Sequence, residues 1–362
     1  MDGFDVVRGQ QGVEGGPPWV GPWTLPQLKH VQPNGLRVLS TFSGGGGSSM
    51  GYKLAGYEVV GAVEIDKKIC ACYERNLGLA PDCVPIQDFT RRLREGGMPE
   101  RLRGLDVLDG SPPCSSFSMA GNRAADWGKA RVFREGQAEQ VLDSLFMQYV
   151  DLASVIRPRV CVAENVKGLI IGQAKGYAIE VVQAFAAIGY DCQVFLLNAS
   201  RMGVPQARER VFFIARRRDL QLATIKLTFN ERPISAQAAI FHLISNNSGK
   251  RLSHIKAALW RKTKLGKALS SAHPRRAYFN SKRLSPNKPF PTLDASEGSF
   301  DLHWSESRRL TDAEVVCAQS FPDDYNFGSL TAKYVCGMSV PPRMMQRLSL
   351  AVAGWLGAGS RP

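Results

Sequence analysis

Asp106-Val107-Leu108-Asp109-Gly110-Ser111-Pro112-Pro113-Cys114 is the stretch around which the remaining segments fall into place. Asp106 to Leu108 reads as a short buried strand. Gly110, Pro112 and Pro113 then rule out continuing the sheet, because proline lacks the ladder donor and both residue types favour turns. The turn carries one thiol at its tip. In an open α/β sheet, ligands bind outside the carboxyl ends of the strands. Cys114 is therefore a candidate nucleophile, and a small buried cysteine at a tight turn is the plainer alternative.

Outward from this turn, short apolar runs alternate with helical periods. On the N-terminal side, Arg37 to Thr41 reads as a strand, followed by the glycine-rich turn Phe42-Ser43-Gly44-Gly45-Gly46-Gly47-Ser48-Ser49-Met50-Gly51 and a helix through Leu54-Ala55. Glycines between strand and helix let a ligand approach the backbone without meeting a Cβ. Such a loop alone is a weak signal. It gains strength from the strand Glu58 to Val63, which ends in Glu64-Ile65-Asp66 and places Glu64 twenty residues after Gly44. A nucleotide-binding unit puts there the acid that accepts hydrogen bonds from ribose hydroxyls. A flexible linker and an exposed strand end are the plainer readings. Lys67 to Asn76 is expected to be helical, and Cys83 to Ile86 a short strand closed by Asp88.

On the C-terminal side, Met119 to Gln137 is polar, with glycines at 121, 128 and 136; it reads as a lid beside the thiol or as an ordinary surface loop. A helix over Leu142 to Ile156 precedes the buried strand Val160 to Ala163, which delivers Glu164-Asn165-Val166. A carboxylate at the end of an apolar strand implies a salt bridge or chemistry. After a helix (Ala178 to Ile188) and a strand (Cys192 to Leu197), Arg208 and Arg210 precede the strand Val211 to Ile214. Arginines at i and i+2 share a face, and two guanidiniums together need anions or carbonyl oxygens. Asp312 to Gln319 is a helix capped by Thr311 with Glu314 three residues on. Met345, Leu348, Val352 and Trp355 make the core stripe of a closing helix. Residues 1 to about 35 read as an irregular arm packed by Trp19 and Trp23.

Size and charge narrow the class. The 362 residues, 44% of them hydrophobic, suit one large domain or a large and a small one. No apolar run reaches the length of a membrane span, and Met1-Asp2-Gly3-Phe4 lacks a signal peptide's basic and apolar regions. The eight cysteines contain no Cys-x-x-Cys, so a reducing, cytoplasmic setting without a structural metal is expected. Of the net charge of +14, all resides between Arg216 and Asn287, where sixteen Lys or Arg face two acids, whereas the remainder has thirty of each sign. A field so concentrated suits a polyanion, with nucleic acid the first candidate. Phe229, Phe241, His242, Trp260 and Tyr278 lie among these cations and are expected to form mostly a small core.

Taken together and in order, these motifs resemble the DNA (cytosine-5)-methyltransferase family. The matching residues are Phe42-Ser-Gly-Gly-Gly-Gly through Gly51, Glu64-Ile-Asp66, Asp88, Pro112-Pro-Cys114, Glu164-Asn-Val166, Gln206-Ala-Arg208-Glu-Arg210, Arg309-Leu-Thr, Gln319-Ser-Phe-Pro-Asp323 and Gly337-x-Ser-Val-Pro341. The resemblance spans roughly residues 37 to 357 apart from the basic segment, which falls where the family carries its variable target-recognition domain. It implies an α/β fold with a doubly wound, mostly parallel, Rossmann-like sheet. The implied divisions are an arm (1–35), a catalytic domain (36–217), a target-recognition domain (218–287) and a return to the catalytic domain (288–362). S-adenosyl-L-methionine is the implied cofactor, with Phe42, Ser43, Gly44, Gly46 and Gly47 around it, Glu64 on the ribose and Asp88 at the adenine. Ile65, Phe89, Pro112, Ser339 and Val340 complete the implied cofactor set. Cys114, Glu164, Arg208 and Arg210 are the implied catalytic residues, around a cytosine flipped from double-stranded DNA. A monomeric, bacterial or phage-encoded cytoplasmic enzyme is expected, with no membrane or metal partner and a cognate restriction enzyme as a candidate partner.

The chemistry asks for these residue types. Cytosine C5 is a poor nucleophile until a thiolate adds at C6. That addition pushes electron density onto N3, where a carboxylic acid such as Glu164 can donate, while Arg210 can bind O2. Three departures stand out: Ser40-Thr41 where the family has an acid ahead of Phe42, Ser115 for Gln after the cysteine, and Met338 for Asn in the final motif. Met338 implies weaker or altered binding of the donor's amino-acid end. Three rivals remain: a catalytically silent nucleic-acid-binding homologue, an RNA cytosine methyltransferase of the same fold, and a nicotinamide dehydrogenase that would leave the Pro-Pro-Cys turn unused.

Overall fold

A computed structural model describes residues 6–8, 21–113, 130–131, 140–141, 144–171, 174–243, 249–275, 280–296 and 301–357. Cys114, Trp19, Tyr278 and, apart from Ala130 and Arg131, the Met119 to Gln137 stretch lie outside them. The strands are β1 (Val6–Arg8), β2 (Arg37–Thr41), β3 (Glu58–Glu64), β4 (Asp82–Cys83), β5 (Val107–Gly110), β6 (Ala130–Arg131), β7 (Gln140–Val141), β8 (Val160–Val166), β9 (Tyr190–Asn198), β10 (Gln206–Ala207), β11 (Glu209–Arg217), β12 (Lys282–Arg283), β13 (Phe290–Pro291) and β14 (Asp301–Leu302). The helices are α1 (Gly47–Leu54), α2 (Lys67–Leu77), α3 (Ile86–Gly96), α4 (Leu145–Ile156), α5 (Ala174–Ala187), α6 (Ala236–Ile240), α7 (His254–Lys262), α8 (Asp312–Ala318), α9 (Ala332–Met338) and α10 (Pro342–Trp355).

Eight strands form one sheet in the order β1-β9-β11-β8-β5-β2-β3-β4. All neighbours pair in parallel except β11, which runs antiparallel to both β8 and β9. Both faces are covered, which is why these strands read as continuous apolar runs. Leu39, Leu108, Cys161 and Ala163 face Leu93 of α3, Tyr149 of α4 and Phe185 of α5. On the opposite face, Val38, Val107, Val160 and Val162 meet Tyr52 of α1 and Met345, Leu348 and Val352 of α10. The sheet is doubly wound and mostly parallel, as the alternation implies.

Four expectations are corrected. β5 does not stop at Leu108: Asp109 and Gly110 pair with β2 and β8. Gly110 belongs to the strand because a Cβ there would lie 2.6 Å from both Thr41 Oγ1 and the Tyr149 ring. The strand expected over Cys83 to Ile86 has only Asp82 and Cys83; Pro85 then starts α3, and Asp88 falls in its first turn. The N-terminal arm is not wholly irregular, since β1 extends the sheet beside β9. Trp23 does pack, buried, with its indole N–H donating to Ser320 O at 2.9 Å. Finally, the aromatics of the basic segment do not form one core. Trp260 packs with Leu259, Leu269 and Leu302, whereas Phe229 joins the α10 side of the main sheet and Phe241 is 83% exposed.

The basic segment also shares its packing with later residues. β12 pairs with β14, and the Trp260 indole donates to His303 O at 2.9 Å. The Arg283 guanidinium lies 4.0 Å over the Trp260 ring. β13, meanwhile, returns to pair with β10.

Candidate active site

As β2, β5 and β8 leave the core, their α1-side face changes from Val38, Val107 and Val162 to Ser40, Asp109 and Glu164. Period-two alternation thus puts three polar side chains in a row at the carboxyl ends of adjacent strands. Ser40 lies opposite Asp109 in register, and its hydroxyl donates to Asp109 Oδ2 at 2.9 Å. Asp109 is 1% exposed. Burial, assisted by the charge of Glu164, pushes its pKa up to about 7.

The glycine turn follows β2. Phe42 has φ 49°, a left-handed conformation that costs a non-glycine residue strain. A Cβ on Gly47 would lie 2.2 Å from Val340 O, so only glycine lets the turn meet the Ser339-Val340 segment. Glu64, at the end of β3, is pinned by backbone donors: Gly44 N–H to Oε2 at 2.9 Å, and Ile65 and Asp66 N–H to Oε1 at 2.8 and 3.0 Å. Burial raises its pKa and these three bonds oppose the rise.

Glu164 meets Arg210 in a buried pair, Nε to Oε1 at 2.8 Å. Arg210 also donates through Nη1 to Glu209 O at 2.8 Å. Arg208 takes the carbonyl alternative: fully buried, it donates to Leu293 O at 2.9 Å and Gly337 O at 3.0 Å. It ties the two returning segments to the sheet. Burial and the neighbouring Arg210 act against its charge, and Glu164 favours it. Asn165 donates to Pro112 O at 3.0 Å, fastening the Pro-Pro turn to the strand of Glu164. Gln206 bonds Gln319 Oε1 at 2.6 Å, and Gln319 donates to Ser339 O at 2.7 Å, so the last motif is locked to β10.

One cleft of about 430 Å³ unites these parts. Phe42, Ser43, Gly44, Gly47, Glu64 and Ile65 line it together with Pro112, Glu164, Arg208, Arg210, Ser339 and Val340. Three expected residues lie apart from this lining. Gly46 packs beneath the turn, where a Cβ would strike Leu77 at 2.5 Å. Asp88 pairs with Arg91 at 2.8 Å on the surface of α3, and Phe89 is buried in the core. Ser48, Asp109 and Ser111 also line the cleft and carried no assignment from sequence. An acid two residues before a turn, inside an apolar strand, is the sequence signal that marks Asp109.

A model of the C-5 cytosine-specific DNA methylase family matches residues 36–353. The chain belongs to that family. Among its relatives, this methylase is 28% identical over 341 residues to Type II methyltransferase M1.HphI of Haemophilus parahaemolyticus, covering 88% of this chain and 86% of that one. It is 36% identical over 192 residues to orphan methyltransferase M.Rho11sI of Bacillus phage rho11s, covering 51% of this chain and 34% of that one. The fold agrees with a prophage-encoded E. coli protein described as a DNA modification methyltransferase, at a TM-score of 0.69 and 21% identity over 89% of this chain and 99% of that one. Spodoptera frugiperda DNMT2 superposes with a TM-score of 0.59 at 18% identity, covering 86% and 98% of the two chains. The methylase is thus a DNA cytosine-5 methyltransferase with a Rossmann-like sheet. Among the described residues, no helix is long and apolar enough to cross a membrane.

Proposed function

We propose that this methylase transfers a methyl group from S-adenosyl-L-methionine to C5 of a cytosine swung out of double-stranded DNA, through a transient bond between Cys114 and C6. The supporting observation is the single cleft that joins the Glu64-pinned glycine turn to the Glu164–Arg210 pair, beside the turn leading to Cys114.

The cleft suits such a donor. Glycines at the β2–α1 turn leave the backbone open, and the Glu64 carboxylate has lone pairs beyond its three backbone bonds for ribose hydroxyls. The buried Ser43 hydroxyl has no hydrogen-bond partner among the described residues. When bound, S-adenosyl-L-methionine supplies the methyl group that C5 takes up. Cys114, as thiolate, forms a bond to C6 and makes C5 nucleophilic. Glu164 donates to N3 as density builds there, and Arg210, held by Glu164, binds O2. A base or water removes the C5 proton, the C6–S bond breaks, and the thiolate is restored. Arg208 and Asn165 act by position, holding the chain segments that frame these groups. Extruding the cytosine costs a few kcal/mol, which phosphate contacts from the exposed cations of the basic segment, residues 218–287, offset. That segment acts as the target-recognition unit.

Bisulfite sequencing of a plasmid that expresses the gene tests the reading. Protection of cytosines in one sequence context is expected, together with loss of protection in Cys114→Ala, whose purified protein still folds and binds DNA. DNA containing 5-fluorocytosine should trap the wild type covalently. Undiminished methylation by Cys114→Ala, or methyl incorporation confined to RNA, overturns it.

A further inference from the structure

We propose that Asp109 binds the α-ammonium group at the amino-acid end of the donor, giving the floor of the cleft a counter-charge. This rests on the donor assignment made above.

Asp109 lines the cleft yet is almost wholly buried. Ser40 holds its Oδ2, while Oδ1 has no hydrogen-bond partner among the described residues. The hydroxyls of Tyr52 and Ser48 lie near the carboxyl without completing a bond to Oδ1. An orphaned buried carboxyl oxygen is costly, and such groups persist where a ligand or chemistry satisfies them. Among the described residues that line the cleft, neither guanidinium fills the role: Arg210 is engaged by Glu164, and Arg208 by the Leu293 and Gly337 carbonyls. Met338, which lines the same cleft, brings no strong acceptor.

The donor has two cationic centres. A sulfonium has no N–H to give, whereas the ammonium has three donors and can complete a charge-assisted bond to Oδ1. Approach of a cation also favours the ionised carboxylate. Among the described residues, the titratable groups that face Asp109 are Glu164 from β8, Tyr52 from α1, Tyr73 from α2 and Tyr149 from α4. Of these, only Glu164 is a carboxylate, and its charge opposes the ionisation that the ammonium promotes.

Calorimetric titration of the full chain with S-adenosyl-L-methionine, S-adenosylhomocysteine and 5′-methylthioadenosine separates the cases, because the last lacks the amino-acid end. Asp109→Asn should weaken the first two equally, by roughly ten- to a hundredfold, and leave 5′-methylthioadenosine unchanged. The wild type provides a second measurement that needs no variant. At pH 6.5, in buffers of differing ionisation enthalpy, S-adenosylhomocysteine should release roughly half to one proton on binding, and 5′-methylthioadenosine none. Equal loss for all three ligands, loss for S-adenosyl-L-methionine alone, no loss, or equal proton release by the two ligands overturns the proposal. A wild type that binds none of the three overturns the donor assignment itself, and this proposal with it.

Discussion

In the large sheet domain, charges near the cleft are buried and answer one another, whereas most of the described cations between Arg216 and Asn287 are exposed. Arg210 meets Glu164 at 2.8 Å, and Arg308 meets Glu314 at 2.7 Å inside the protein. Arg251, Arg261, Lys262, Lys264 and Lys267 are exposed. A buried pair fixes geometry and fails badly when one partner is lost. An exposed cation fixes little, is screened by salt, and remains available to an anion from outside. On the proposed function, the same charge types position a reaction in one region and gather its substrate in the other.

Glu164→Gln breaks the comparison on its buried side and carries the largest expected effect. Single-turnover methyl transfer at saturating DNA and donor should fall by about 10²–10⁴. Arg210, left without its counter-charge, should also lower the unfolding free energy by about 3 kcal/mol. The DNA affinity and its salt dependence should stay near those of the wild type. A rate within threefold of wild type would show that the pair is structural only.

How far the sequence reveals these regions follows from the same physics. Strands β2 and β3 are legible nearly to the residue because strands covered on both faces are apolar runs, whereas β8 runs three residues past the expected Ala163, through Glu164 to Val166. The glycine turn and Glu64 are legible because one backbone geometry demands them at one spacing. Gly110 misleads, since a glycine inside a strand can serve the close approach of Thr41 and Tyr149 as well as a turn. Val84 and Ile86 look like strand residues, but the proline between them opens a helix. Arg208 and Arg210 look equivalent two residues apart, yet one bonds two carbonyls and the other a carboxylate; only tertiary packing distinguishes them. Asp109 is hidden for a related reason. The position ahead of Phe42 lacks the acid the family carries, and an acid appears instead on the adjacent strand, in register with Ser40. Strand pairing is invisible in a one-dimensional reading.

Asp109 sharpens the contrast because it is a buried acid without a full set of partners. Burial raises its pKa to about 7 in the folded, donor-free protein, against about 4 for an unfolded aspartate. Between these values the folded state holds the proton more tightly than the unfolded state. Its contribution is therefore fully present below about pH 4 and is lost as pH rises through 7. The three-unit interval corresponds to a loss of order 4 kcal/mol. Asp109→Asn has no such proton to lose, so its stability relative to the wild type should rise from pH 4 to pH 8. Urea unfolding of both proteins without donor, across that range, reads the difference directly. Parallel stability curves would mean that Asp109 stays ionised throughout.

The exposed side of the comparison predicts a smaller effect, and one that salt erases. Replacing Arg261, Lys262 and Lys264 with Gln removes three exposed charges at the end of α7 and just beyond it. If each contacts a phosphate, the slope of log affinity against log salt becomes shallower by about 0.9 per residue. The affinity loss should be roughly tenfold or more at low salt, equal for DNA with and without the methylated site, and should fade as salt rises. The rate at saturating DNA should be unchanged, since none of the three lines the cleft. An unaltered slope would place the DNA on another face of the basic unit. A reduced saturating rate would mean that these cations help to draw the cytosine from the duplex, so that the separation between charge that gathers and charge that positions breaks down there.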